Sequence, residues 1–224
     1  MATLAGKTVL VIGGSSGIGY VDYALGRLKN DVSASEATIE GSLEGEVIDA
    51  KSSDSVRALL AKVGEVDHLV WTSGDDLRLG FPHIDLDKNR DVFDVRFWGA
   101  FTAAKVAQIK PGGSITLTIG AVIAKPSKGW SLVAGIMGAA DSLTRGLAVD
   151  LAPIRVNVVG PGLVKTEDTL PLEAREKMYD DAAKALPVQH VAEPDEIAEV
   201  YRCLMKCGFI TDQCIEVNGG VRLA

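Results

Sequence analysis

The stretch Thr8-Val9-Leu10-Val11-Ile12-Gly13-Gly14-Ser15-Ser16-Gly17-Ile18-Gly19 decides the reading of the fold. Its first five residues are a continuous run rich in β-branched side chains, the pattern of a strand covered on both faces. Gly13, Gly17 and Gly19 then fit G-x-x-x-G-x-G where the strand turns into a helix. Glycine there permits a tight turn and lets a phosphate approach the N–H groups at a helix amino end. Ser15 and Ser16 add hydroxyl donors, and Ile18 and Gly19 open the helix. The bland alternative is a strand–helix turn with no ligand. Its place after the first strand of an α/β chain favours the phosphate site.

Working outward, the chain alternates apolar runs with helical stretches. Val66–Ser73, Ser114–Ile119, Ile154–Val159 and Cys214–Val217 read as further strands. Helices are expected over Ser55–Val63, Asp91–Gln108, Leu132–Leu151 and Pro194–Lys206, the last opened by Pro-Asp-Glu. This alternation predicts a Rossmann-type, doubly wound parallel α/β sheet in one domain over residues 1–224. One part of the pattern is short. Tyr20 to Asn30 holds a single helical stretch and no apolar strand, although a dinucleotide fold needs a second strand there to select the ribose. A stretch near residues 20–21, and a smaller one near 108–109, is therefore expected to be missing relative to the fold.

The chain has 224 residues, 47% of them hydrophobic and 24% charged, with a net charge of −7. That is globular composition. An acidic balance argues against nucleic acid as a partner, and no polybasic segment suggests a membrane surface. No unbroken apolar run reaches the length of a membrane span, and Met1–Lys7 lacks the apolar core of a signal peptide. The three cysteines, Cys203, Cys207 and Cys214, lack metal-site spacing to His68, His83 or His190. No metal is expected, and the cysteines are expected to be buried, reduced and cytoplasmic.

With these motifs in place, the chain resembles the short-chain dehydrogenase/reductase family over almost its whole length. Asp49, ending the strand-like Glu46-Val47-Ile48, looks like the family's acidic residue beside adenine. Thr72-Ser73-Gly74 stands where the family has Asn-Ala-Gly. Asp141–Asn157 is similar to its long interface helix and following strand. Pro161-Gly162-Leu163-Val164-Lys165-Thr166 matches the Pro-Gly-x-x-x-Thr loop over nicotinamide, and Ile215–Gly220 its last strand. The resemblance implies pyrophosphate on Gly13, Ser15, Ser16, Ile18 and Gly19, adenine on Asp49 and ribose on Ser73 and Gly74. It places the nicotinamide carboxamide on Pro161, Gly162, Val164 and Thr166. It also implies an oligomer, a homotetramer, built on the long helix.

The family's catalytic Asn, Ser, Tyr and Lys are all replaced. The matching positions hold Arg96, Gly120, Val133 and Met137, and no tyrosine has a lysine four residues on. Val133 and Met137 cannot carry a proton, so ordinary alcohol–ketone chemistry is not expected. Three readings stay open: a reductase of a substrate that needs no acid, a cyclisation catalyst working by positioning, and a nucleotide-binding pseudoenzyme. The segments Trp71–Asp75, Asp94–Gly99 and Lys125–Trp130 resemble a fungal group in the family. These are the bifunctional iminium reductases and Diels–Alderases of prenylated indole alkaloid biosynthesis, of the malbrancheamide and paraherquamide type. That resemblance implies NADPH as cofactor and an indole-containing, diketopiperazine-like small-molecule substrate. It makes Arg96 and Trp130 the residues that orient substrate. The group carries an Asp just before the tryptophan, where Ser127 and Lys128 stand here.

Plainer roles compete at several of these positions. Arg96 can pair with Asp94, and Trp98 can serve helix packing. Trp71 reads as core, and Asp75 and Asp76 as turn or cap residues. Glu173-Arg175-Glu176-Lys177 reads as a charged helix face over the substrate cleft, with Met178 or Tyr179 lining it.

Overall fold

The computed structural model describes residues 3–14, 44–166 and 171–224. Ser15, Ser16, Ile18, Gly19 and the expected missing stretch near residues 20–21 lie outside them. Five parallel strands form one sheet in the order β1-β2-β3-β4-β5. They are β1 (Val9–Ile12), β2 (Glu65–Trp71), β3 (Gln108–Thr118), β4 (Arg155–Pro161) and β5 (Cys214–Val217). Every residue of β4 is buried, which explains its continuous apolar reading. Glu46-Val47-Ile48 is not a strand. The segment joins no strand among the described residues, and Val47 is 99% exposed. A short apolar run becomes a strand only beside a partner edge.

Side chains alternate between the sheet's two faces. Leu69, Trp71, Ile115, Leu117, Val156 and Val158 pack with α1 (Ser53–Val63), α2 (Ala100–Val106) and α3 (Ser131–Asp150). Val70 and Val159 pack with α5 (Pro194–Lys206) on the other face, so helices cover both. This is the Rossmann-type, doubly wound arrangement expected from the alternation of strand and helix.

Helix α1 begins at the N-cap Ser52, whose side chain accepts from Ser55 N–H, and ends at Gly64 with φ 73°. Val56, Leu59 and Leu60 are buried, but Val63 lies at the helix end and is partly exposed. The expected helix Asp91–Gln108 is broken. A 3₁₀ turn (Asp87–Phe93) leads into a π-helical turn (Asp94–Gly99) before α2. Gly99 meets β2 so closely that a Cβ there would lie 2.5 Å from Ala50 O and 2.8 Å from Trp71 Cζ2. That packing is tertiary and invisible to local propensity. Helix α2 passes to β3 through Ala107 alone, and Lys110-Pro111-Gly112-Gly113 bulges out within β3 before the register resumes at Ser114.

Helix α3 turns Val133, Ile136, Met137, Ala140, Thr144 and Leu147 inward. It is long and apolar enough to cross a membrane by length and composition, but this face packs in the core. Helix α4 (Leu172–Ala185) buries no residue at all. Helix α5 starts where its sequence signals placed it, with a capping box between Glu193 and Glu196. Its carboxyl end is held by Arg155 of β4, whose Nη1 donates to Leu204 O and Nη2 to Met205 O. The three thiols are free, but they are not buried as expected. Cys203 lies on the solvent side of α5, and Cys207 and Cys214 are half-buried.

A polar ladder crosses the amino half of the sheet beneath α5. His68, Ser114 and Arg155 are register partners on β2, β3 and β4. His68 Nδ1 shares a 2.9 Å hydrogen bond with Ser114 Oγ. Beside it Asp67 accepts from Lys7 Nζ, Thr8 N–H and Lys110 Nζ.

Candidate active site

The carboxyl ends of β1, β2, β3 and β4 converge along one edge, where a parallel α/β sheet binds its ligand. At β1, Gly13 has φ 101°, and a Cβ on it would lie 2.5 Å from Ser73 N. Thr72 and Ser73 both donate backbone N–H to Ile12 O, so this approach locks the ends of β1 and β2 together. Trp71 is core, as expected, and its Nε1 donates to Ser73 O at 3.1 Å. Ser73 and Gly74 thus stand on a rigid strand end. At β4, Gly162 N–H donates to Val217 O, and a Cβ on Gly162 would lie 2.9 Å from Asn218 Cα. Val164 bridges to Ala192, and Thr166 N–H donates to Val164 O, fixing the loop after Pro161. Asp49 lies in the turn before α1, exposed, with one carboxylate oxygen accepting from Lys51 N–H.

Arg96 does not pair with Asp94. The π-helical turn carries its guanidinium against Gly74, close enough that a Cβ there would meet it at under 3.0 Å. Nη2 donates to Asp75 O at 2.6 Å. Burial pulls the Arg96 pKa down, and the carboxylates of Asp75 and Asp76 pull it back up. Asp75 is more than a turn residue. Its Oδ2 is buried and accepts no hydrogen bond, and Lys51 Nζ stands 3.5 Å from it. This ion pair links the turn of Asp49 to the seat of Arg96. Sequence reasoning missed it, because the two residues lie far apart in the chain. The only clue was a lysine directly after Asp49-Ala50.

The other replaced positions are apolar and closed. Val133 is 1% exposed and Met137 4%, both within the core cluster, while Gly120 contributes no side chain. No proton donor stands at any of the three. Trp130 opens α3, packs partly against the core and donates its N–H to Ser127 O. Gly129 O accepts from Gly80 N–H and Phe81 N–H, tying this loop to the one that follows β2. Trp98 is 53% exposed, and its ring meets Phe97 edge-on with centroids 4.9 Å apart.

Beyond Thr166 a cleft of about 660 Å³ opens beneath α4. Leu172, Arg175, Glu176, Tyr179 and Asp180 line it with Lys165 and Thr166; of the expected charged face Arg175 and Glu176 take part, and Glu173 and Lys177 do not. Lys165 is bound to Glu193 at 2.6 Å, and Tyr179 Oη donates to Thr166 O at 3.4 Å. Met178 is not among the lining residues. Gly13, the Thr72–Gly74 strand end, Gly162 and the guanidinium of Arg96 gather at this edge of the sheet.

Known proteins share this fold. A family model described as an SDR-like Rossmann domain matches residues 20–224. The short-chain dehydrogenase/reductase malC of Malbranchea aurantiaca is 32% identical over 254 aligned residues, 98% of this chain and 96% of that protein. The structure of the MalC reductase/Diels-Alderase from Malbranchea aurantiaca superposes with a TM-score of 0.87 at 29% identity, covering 99% of this chain and 98% of that one. A small-chain dehydrogenase in complex with NADPH gives a TM-score of 0.84 at 33% identity, covering 97% and 100%. The 254-residue alignment is longer than the chain's own 224 residues.

Proposed function

Since the chain belongs to the short-chain dehydrogenase/reductase family, we propose that it is an NADPH-dependent reductase of an iminium or zwitterionic intermediate. We propose that it also templates a stereoselective intramolecular [4+2] cycloaddition in fungal indole alkaloid biosynthesis. The observation that carries this reading is a nicotinamide site with its proton donors removed. Val133 and Met137 are sealed into the core, Gly120 is bare, and a guanidinium replaces the amide.

An iminium carbon is already electrophilic, so its reduction needs no acid. NADPH supplies hydride when bound. Gly13, Ser15, Ser16, Ile18 and Gly19 would hold its pyrophosphate, Asp49 its adenine, and Ser73 and Gly74 its ribose. Pro161, Gly162, Val164 and Thr166 would hold the carboxamide. The apolar Val133 and Met137 exclude water from the reacting face. Arg96 orients substrate with its planar fork, and Trp130 supplies an aromatic wall for an indole. Cycloaddition then asks only for shape and alignment.

A homotetramer built on α3 and the aromatic patch of Trp98 and Phe101 is part of the same reading, as is a cytoplasmic setting suited to three free thiols. A missing stretch near residues 20–21 is part of the same reading.

This reading and that of a nucleotide-binding pseudoenzyme separate in one experiment. A cyclic indole iminium substrate is mixed with protein and NADPH, and cofactor oxidation and product enantiomeric excess are followed. Oxidation with one enantiomer in excess supports the reductase–cyclase. NADPH binding with no oxidation and a racemic product leaves the pseudoenzyme.

A further inference from the structure

Asp75 follows the Thr72–Gly74 strand end, and its Oδ2 is buried with no hydrogen bond. A carboxylate oxygen shut off from water and left without a donor is unfavourable. Charge offsets this from two sides. Lys51 Nζ stands 3.5 Å from Oδ2. The Arg96 guanidinium is held against the same residue by the 2.6 Å bond from Nη2 to Asp75 O.

The pair matters for what it joins. Lys51 belongs to the turn of Asp49, and its N–H is held by the Asp49 carboxylate at 2.9 Å. Its neighbour Ala50 presses on the π-helical turn that carries Arg96, since a Cβ on Gly99 would lie 2.5 Å from Ala50 O. Ser53 Oγ and Thr102 Oγ1 share a 3.3 Å hydrogen bond between the start of α1 and α2. Packing thus fixes the spacing of the two turns, and Lys51–Asp75 is a charged tie across it.

We propose that Asp75 is a positioning residue that seats Arg96, and that Lys51 makes this seat respond to a nucleotide at Asp49. The proposal rests on the placement of adenine at Asp49 and of substrate at Arg96 given above. It adds that the two ends are coupled. Adenine on the exposed Asp49 carboxylate immobilises the turn and with it the Lys51 ammonium. A fixed ammonium holds the Asp75 carboxylate, and a fixed Asp75 holds its carbonyl oxygen against Arg96 Nη2. The coupling is carried by lost freedom and needs no change of shape. It is reciprocal, so a substrate engaging Arg96 tightens the nucleotide by the same factor.

Arginine side-chain NMR reads the seat without turnover. Exchange of the Arg96 Nε–H with water is followed in protein carrying isotope-labelled arginine, its signal identified by its loss in Arg96→Lys. The probe is adenosine 2′,5′-bisphosphate, which has the adenosine end and no nicotinamide. Saturating probe is expected to slow this exchange about tenfold, inside the usual range for two coupled sites. Lys51→Met and Asp75→Asn are expected to cut the response below about twofold, and Lys51→Arg to keep it. Lys51 is 44% exposed, so Lys51→Met carries the test even where Asp75→Asn disturbs the fold. An exchange rate that ignores bound probe, or a response that survives Lys51→Met, overturns the proposal. So does a loss of probe affinity beyond about tenfold in Lys51→Met by calorimetry, which would assign the ammonium to a nucleotide phosphate. Failure of the probe to bind at all would sink the dinucleotide reading and the proposal with it. A protein that shows the coupling yet oxidises no NADPH keeps the proposal and loses the iminium reductase.

Discussion

The guanidinium of Arg96 fills the space that a side chain on Gly74 would occupy. The family's small strand-end residue therefore has a second task in this chain, seating a cation that replaces the usual amide. Gly74→Ala is expected to push Arg96 out of its bond to Asp75 O. On the proposed activity this should lower turnover by about 10–100-fold, the scale of a misplaced orienting group. Steady-state kinetics and product chirality check it. Thermal unfolding unchanged within about 1 kcal/mol would separate loss of position from loss of fold.

Restoring the family's acid is not a matter of two substitutions. Val133 and Met137 sit in a filled core, so Val133→Tyr with Met137→Lys must displace neighbours and bury an ammonium. Overpacking alone costs about 1–3 kcal/mol, before the lysine is desolvated. Chemical denaturation should show this destabilisation, and the double variant should not gain ketone reduction. A stable variant that reduces ketones would disprove the account of a closed wall.

His68 makes the fold sensitive to mild acid. Burial, then the charge of Arg155, push its pKa from 6.5 to about 4, with Lys7 adding and Asp67 opposing. The unfolded chain therefore takes up the proton more readily. This contribution to stability is full above pH 6.5 and is lost as pH falls from 6.5 towards 4. Its size is on the order of 3 kcal/mol. Asp67 does not share this window. Burial would raise its pKa, but hydrogen bonds from Lys7, the Thr8 N–H and Lys110 hold it at about 2. Denaturation curves across pH 4–7 should fall steeply for the native protein and flatten for His68→Gln.

The aromatic patch on the π-helical turn predicts assembly. Trp98 and Phe101 are exposed beside Phe97, and an apolar surface of this kind marks an interface. On the proposed homotetramer, Trp98→Glu is expected to lower the mass seen by light scattering while the monomer fold survives. An unchanged mass would remove this face from the interface.

Where local chemistry suffices, the fold was legible in the sequence. Helix α5 could be read to the residue because Pro194, Asp195 and Glu196 mark its start. The central strands could be read because burial on both faces leaves continuous apolar runs. Glu46–Ile48 misled because a strand is a relationship to a neighbour. The helix before β3 was less legible because its first turns are 3₁₀ and π in hydrogen bonding, and Gly99 packs there on Trp71 through a contact that no local preference encodes. In the site, Gly13 and Gly162 were legible because only glycine lets two backbones approach so closely. Lys51 and Asp75 were not, since their pairing exists only after β2 and the turn before α1 have been brought side by side.

Helix α4 buries no residue, so the roof of the cleft contributes almost nothing to the core. Substitutions there escape the penalty that falls on β4 or α3, where nearly every change opens a cavity or strains the packing. Lineages of this protein can therefore diverge at Leu172, Arg175 and Tyr179 while their sheets stay interchangeable. Two descendants with nearly identical folds would then be told apart by the molecules they accept.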